Sequence, residues 1–190
     1  MMRGVNSQVL ETIKRIPSNT VGVELGVWMG DSSEKFLSKA KKLFLVDSWD
    51  VTPYKENDEV WQRFIDRYKG QVGGDTEEDF VKYYDSIYEA VVERFSSRVN
   101  VDISRMTTDK FFETFDEQVN WFYVDASHEE DGVYKDLVNC YNHLKKYNGG
   151  MIFGDDYGNK PGVVKGVDKF IKDYKLSLKK FAVNQYEIKI

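Results

Sequence analysis

A single cysteine, Cys140, stands in 190 residues, which excludes an internal disulfide and predicts a reducing compartment. It falls between Leu137 and Leu144 in a helical pattern, where a buried thiol is expected rather than a nucleophile. No apolar run approaches the roughly 20 residues that span a bilayer, and the Met-Met-Arg start carries no signal-peptide core. A cytoplasmic protein without a membrane partner is therefore expected. Positive charge is short as well: 27 Lys and Arg face 32 Asp and Glu, for a formal net charge of −5. That balance argues against a general nucleic-acid groove and favours a small-molecule or sugar partner. Neither G-x-G-x-x-G nor G-x-x-x-x-G-K-[ST] occurs, so the common dinucleotide and nucleoside-triphosphate loops are missing. There is no internal repeat and no low-complexity segment. The length suits one domain, residues 1–190.

What is present begins with Val21-Gly-Val-Glu-Leu-Gly-Val-Trp-Met-Gly-Asp-Ser-Ser33. Val21 to Leu25 is apolar, β-branched and too short for a helix, so it reads as a buried strand. Glycines at Gly26 and Gly30 follow, and Asp31-Ser32-Ser33-Glu34 signals a helix start before Phe36, Leu37 and Ala40. Strand, glycine turn and helix open a doubly wound α/β fold, with ligand bound at the carboxyl ends of the strands. Glu24 at that edge would repel a pyrophosphate and attract an ammonium group. A nucleoside carrying a positive group fits, and S-adenosylmethionine (SAM) is such a molecule. Its amino group would meet Glu24, and its carboxylate would take free N–H groups near the helix start. The alternative for this stretch is a glycine turn beside a solvated Glu.

Along the chain, Val9, Leu10, Ile13 and Ile16 predict a first helix that Pro17 ends. The helix after Gly30 is expected to fade through Lys39, Lys41 and Lys42. Leu43 to Trp49 reads as the second strand and closes on Asp47, about 20 residues past the glycine turn, where such folds place a ribose-binding acid. Asp47 would accept both ribose hydroxyls; a solvated strand-end Asp is the other reading. Residues 51–97 exceed a single crossover. Their two aromatic-rich amphipathic faces predict a helical insertion serving as a lid or substrate region. Further strands are expected at Arg98–Ser104, Asn120–Asp125 and Tyr147–Tyr157, with helices near 107–115, 126–144 and 161–171. Leu176 to Val183 and Gln185 to Ile190, joined by almost nothing, must pair antiparallel. His143 is read as solvated on a polar helix face beside Lys145 and Lys146. Asp131 and Asp136 are read as helix-surface or capping groups.

Asp125 ends one strand, Asp155-Asp156 end its expected neighbour, and His128 follows three residues after Asp125. Converging carboxylates repel unless a cation joins them, and oxygen donors suit Mg²⁺, Mn²⁺ or Ca²⁺. A divalent ion there could hold a substrate hydroxyl while His128 removes its proton. The bland readings are an Asp pair that caps a helix or binds water, and an exposed helix-start histidine.

Val-Glu-Leu-Gly-Val-Trp-Met-Gly resembles the first motif of the class I SAM-dependent methyltransferases. Val-Asp-Ala-Ser-His and Gly-Gly-Met-Ile-Phe-Gly-Asp-Asp-Tyr resemble the D-x-x-H and GG…DDY motifs of a subgroup that includes metal-dependent sugar O-methyltransferases and relatives encoded beside glycan genes. The resemblance covers about residues 20–175. It implies a Rossmann-like seven-stranded sheet, mostly parallel with an antiparallel C-terminal hairpin. It implies a cofactor set of Glu24, Gly26, Gly30, Ser32, Asp47, Ser48, Ser104, Met106 and Asp125, a divalent metal (magnesium) on Asp125, Asp155 and Asp156, and His128 as base with Asp125. Ala126 replaces a usual glycine, and Glu129-Glu130 replaces usual small or aromatic residues, which leaves the substrate pocket open. Asp-Asp-Tyr is not the Asn/Asp-Pro-Pro-Tyr of amino-methylating enzymes. The expectation is an O-methyltransferase acting on a small molecule or sugar. A SAM- or nucleoside-binding protein without catalysis, or an NAD-dependent oxidoreductase, are the alternatives. A homo-oligomer is left open.

Overall fold

The computed structural model of the chain describes residues 7–55 and 57–190. Seven strands make one sheet: β1 (Thr20–Leu25), β2 (Ala40–Asp47), β3 (Val101–Arg105), β4 (Trp121–Val124), β5 (Met151–Gly154), β6 (Leu178–Phe181) and β7 (Gln185–Lys189). Their order is β3-β2-β1-β4-β5-β7-β6. The first five are parallel, and β7 runs antiparallel between β5 and β6. This is the Rossmann-like seven-stranded plan expected from the sequence. The strand order reverses between β1 and β4, so a crevice opens at their carboxyl ends.

Alternation along the strands sorts the core onto two faces. Val23, Leu25, Phe44, Val46, Phe122 and Val124 face α6 (Glu130–Lys146) and α7 (Pro161–Tyr174). Leu43, Leu45, Trp121, Tyr123 and Phe153 face the other way. There they meet Ile16, which follows α1 (Ser7–Arg15), and Phe36 of α2 (Asp31–Phe36), with Ile87, Val91 and Phe95 of α4 (Glu77–Phe95). Each such side chain, when fully buried, contributes roughly 1.5–3 kcal/mol.

Several expectations are corrected here. α2 stops at Phe36, and Lys41 and Lys42 lie in β2, not in a fading helix. Pairing of Ala40 with Thr20 starts the strand early, and Lys42 reaches Asp102 and Glu117; a tertiary ladder has overridden a helix-end preference. The segment 51–97 also divides. α4 packs on the sheet as the ordinary crossover, so the extra structure is the 3₁₀ turn Thr52–Tyr54 and α3 (Asp58–Val72). Val51, Phe64 and Phe80 anchor it as a separate small core, with Tyr54 stacked on Phe64 at 4.0 Å.

His143 is not solvated: it is 8% exposed, its Nε2 lies 2.9 Å from the Glu117 carbonyl, and its ring stacks on Phe115. Asp136 is likewise inside at 3% exposure, accepting from Thr108 Oγ1 at 2.5 Å, and burial pushes its carboxyl up to about 7. Thr108 opens α5 (Thr108–Thr114), and Phe115 and Glu117 lie just beyond its end. That segment covers the side of α6 which the flanking lysines made look wet. Periodicity within α6 carries no information about a cover supplied by another helix.

Candidate active site

The turn from β1 into α2 is left-handed at three alternate positions, Gly26 (φ 86°), Trp28 (φ 49°) and Gly30 (φ 76°). At Gly26 a side chain is excluded twice over, since a Cβ would also lie 2.1 Å from the Asp125 carbonyl oxygen. The Asp125 N–H in turn donates to the Leu25 carbonyl at 2.8 Å. The glycine turn and the end of β4 are thus pressed together across the switch point.

Glu24 does not face the crevice as expected. It is fully buried, because Ser32 and Ser33 in the first turn of α2 fold back and donate to its two carboxylate oxygens. Burial pushes its carboxyl up to about 8 against those two hydroxyl bonds, with Asp125 and Asp47 adding to the rise. An ammonium group has no surface of Glu24 to meet. The residue props the turn from beneath, and Ser32 is occupied in the same bond.

Asp47 is at the expected place, but its carboxylate is already employed. Oδ2 accepts the Val27 and Trp28 N–H groups at 2.9 Å each, and Oδ1 accepts that of Trp49 at 2.8 Å. A carboxylate offers about four lone-pair sites. One site remains, so the expected grip on both ribose hydroxyls reduces to a single bond from Oδ1. The Trp49 indole N–H donates to the Trp28 carbonyl at 2.8 Å, locking the two loops to each other. Ser48 is half-buried beside this lock. On the neighbouring strand Ser104 pairs with Val46, and the Met106 N–H donates to the Asp47 carbonyl at 2.9 Å.

Across the switch point, His128 Nε2 lies 2.9 Å from Asp156 Oδ2 and 3.8 Å from Asp125 Oδ1. Among the described residues, Asp125, His128 and Asp156 form a group whose ligand atoms all lie within 4.8 Å of one another. Asp155, expected in that group, is outside it. Its Oδ1 accepts the Asp156 N–H at 2.6 Å, while Oδ2 turns to the Tyr123 hydroxyl at 3.5 Å. The left-handed backbone of Asp156 (φ 64°) sends successive side chains apart. Asp125 and then Asp156 raise the pKa of His128 to about 9, so the expected base holds a proton at neutral pH. Asp125 is pushed up to about 6, first by burial and then by Asp155, with His128 opposing. Burial pushes the Asp156 carboxyl up, but the His128 bond and charge, with Asn159 and Lys160, together hold it below the usual carboxylate range.

Behind Asp155 lies a polar layer that the sequence did not signal. The Tyr123 hydroxyl lies 3.3 Å from Gln185 Oε1, which accepts from Thr12 Oγ1 at 2.6 Å. Gln185 Nε2 has no hydrogen-bond partner among the described residues. These residues come from α1, β4 and β7 and have no common spacing in the chain, so no local pattern could have found them.

The structure thus gathers at one edge of a Rossmann-like sheet a glycine turn after β1, an acid ending β2 and an Asp-His-Asp group beyond β4 and β5. The sequence profile of the family described as methyltransferase domain matches residues 23–157. The chain belongs to that family. A search of curated proteins returns no match. Solved structures resemble it along its whole length at low identity. A protein from Streptococcus mutans assigned as a methyltransferase, in complex with S-adenosylhomocysteine (SAH), is 10% identical over 100% of this chain and 98% of its own, with a TM-score of 0.57. A protein from Clostridium thermocellum assigned as an rRNA methylase is 11% identical over 100% of both chains, with a TM-score of 0.58. The O-methyltransferase NovP is 16% identical over 96% of this chain and 76% of its own, with a TM-score of 0.53. At these identities the likeness is one of fold.

Proposed function

We propose that the protein transfers a methyl group from SAM to a hydroxyl of a small molecule or sugar. The observation that carries this reading is the Asp125–His128–Asp156 group, set across the switch point from the loops that Asp47 locks. Support for the cofactor comes from the SAH bound to the Streptococcus mutans structure of the same fold. Bound SAM would supply an electrophilic methyl group and leave as SAH, while the acceptor hydroxyl would give its proton to His128 Nε2. His128 can accept it only after leaving its ion pair with Asp156 and losing its own proton.

The donor set fits a divalent cation differently from the expectation. With His128 kept as base, two carboxylates instead of three would hold the ion, and such oxygen donors suit magnesium, manganese or calcium. Asp125 and Asp156 would hold such an ion. When bound, it would supply positive charge that lowers the pKa of a nearby hydroxyl and that replaces the charge of the imidazolium. Asp155 orients Asp156 through its N–H. The 3₁₀ turn and α3 would close the acceptor side as a lid.

The test combines calorimetry with SAH and label transfer from SAM into pools of sugars, hydroxylated small molecules, amines and RNA. The wild type is expected to bind SAH and to label a hydroxyl. His128→Ala should retain SAH binding and lose about 10²–10⁴ in turnover. A wild type that binds no SAH overturns the cofactor, and label found only in RNA or amines overturns the hydroxyl.

A further inference from the structure

We propose that Gln185, acting with Tyr123, is a positioning residue that keeps Asp155 turned into the fold and so reserves the cation site for Asp125 and Asp156. The inference rests on the cation reading above. β5 and β7 pair antiparallel with Gly154 opposite Tyr186, and one further step of that register sets Gln185 opposite Asp155. By strand alternation both lie on the face of Phe153, which Tyr123 and the apolar residues of α1 also line. Asp155 Oδ2 accordingly turns to the Tyr123 hydroxyl at 3.5 Å, while Asp156 sends its carboxylate to His128.

The donors behind Asp155 exceed the acceptors offered to them. Gln185 is 1% exposed, and its Nε2 carries two N–H groups with no acceptor among the described residues. Its Oε1 is already served by Thr12 Oγ1 at 2.6 Å, which leaves the single proton of the buried Tyr123 hydroxyl for Asp155. Burial pushes the Asp155 carboxyl up, and Gln185 and Tyr123 are among the groups that oppose the rise. A buried donor is costly to leave unpaired, and a carboxylate is the acceptor that answers it most strongly. Oδ1 of Asp155 takes the Asp156 N–H, so Oδ2 is the oxygen the layer can hold. Turned out toward His128, Asp155 would carry its charge away from the amide and the hydroxyl, and both would stay buried. The layer is contributed by α1, β4 and β7, so the fold itself decides which of two adjacent acids reaches the cation.

Calorimetry with Mn²⁺ alone, at fixed pH and paired with melting curves, tests the placement. Asp155→Asn keeps an acceptor for the Asp156 N–H and should weaken Mn²⁺ binding by less than about tenfold, where loss of a ligand costs more. Gln185→Leu removes the amide and releases Asp155 to join the ion as a third carboxylate, so Mn²⁺ should bind about tenfold tighter although the melting temperature falls. Adding Asp155→Asn should cancel that gain. A residue that served only packing would lower the melting temperature and leave no gain that depends on Asp155. Tyr123→Phe removes a single hydroxyl and should give the same gain in smaller measure, about threefold, and it decides the matter if Gln185→Leu does not fold. Mn²⁺ affinity unchanged or weakened in the folded variant, or a gain that survives Asp155→Asn, overturns the proposal, as does a loss beyond tenfold in Asp155→Asn alone. If neither the wild type nor the variant binds Mn²⁺, the cation reading falls and this inference with it, whereas wild-type binding that the variants leave unmoved defeats only the role of Gln185.

Discussion

The two halves of the crevice are built on opposite principles. On the β1–β2 side the carboxyl groups are held by fixed donors: Glu24 by two serine hydroxyls, Asp47 by three backbone N–H groups. On the β4–β5 side Asp125 and Asp156 face a half-exposed imidazolium, and their balance depends on proton and cation. The first half is preorganised and costs little to reorganise when a ligand arrives. The second can be re-paired, as the proposed proton transfer would require. The difference teaches that acids of one type, at equivalent strand ends, divide into scaffold and chemistry according to what already binds them.

Glu24 offers the strongest way to break this contrast. Its folded pKa of about 8 lies well above the ordinary 4.5, so the folded state holds a proton that the unfolded state has released between those values. Stability from this group is full below pH 4.5, falls as pH rises, and levels off above pH 8. At pH 7 the loss amounts to about 3 kcal/mol. Glu24→Gln keeps the shape and cannot ionise, so it should match wild type in acid and melt progressively higher than wild type toward pH 8. Melting curves from pH 4 to 9 measure this. A difference that stays flat would mean that Glu24 is ionised in place, and that the two halves are less distinct than their hydrogen bonds suggest.

Asp47 tests the same half through its donors. Asp47→Ala strips Val27, Trp28 and Trp49 of their acceptor and unlocks the loops, which should cost about 1.5–3 kcal/mol in urea unfolding. SAH affinity should fall with it. Asp47→Asn should lie between, since its amide can still accept on one side but sets an N–H against a backbone N–H on the other. Full stability in Asp47→Ala would show that water replaces the carboxylate and that the preorganisation is not its doing.

Much of the fold was legible because apolar runs such as Leu43–Val46 and Trp121–Val124 can only be buried parallel strands, and the terminal hairpin had too short a link to be anything but antiparallel. The positions of Asp47, Asp125 and Asp156 followed from strand ends. What the sequence could not show was where those side chains turn. Asp155 and Asp156 are adjacent, yet one left-handed residue separates their directions. Glu24 reads as a crevice acid until the Ser32 and Ser33 hydroxyls are seen to close over it. His143 and Asp136 were misplaced for a related reason, as their cover comes from α5 and the segment after it. Gln185, Tyr123 and Thr12 meet only in the folded sheet. Contacts across elements leave no period in the chain.

His128 gives the smallest effect on stability and the sharpest view of the second half. Its side chain is 45% exposed, so solvent screens the pair with Asp156 and its worth is at most about 1 kcal/mol. The folded pKa of about 9 exceeds the ordinary 6.5, because Asp125 and Asp156 favour the charged ring. The contribution is therefore fully present below pH 6.5 and is lost as pH rises through 9. Without metal, His128→Gln should melt slightly below wild type at pH 6, and the two curves should converge near pH 9.5, where neither side chain offers a charge to the carboxylates. Proton NMR of the His128 ring gives the same pKa directly, with His143 distinguished by its opposite shift, since burial lowers its pKa. A ring that titrates near 6.5, with a melting difference independent of pH, would mean the imidazole and the two carboxylates are uncoupled. The β4–β5 side would then be as insulated from proton balance as the β1–β2 side, and the contrast between the halves would fail at the residue proposed as base.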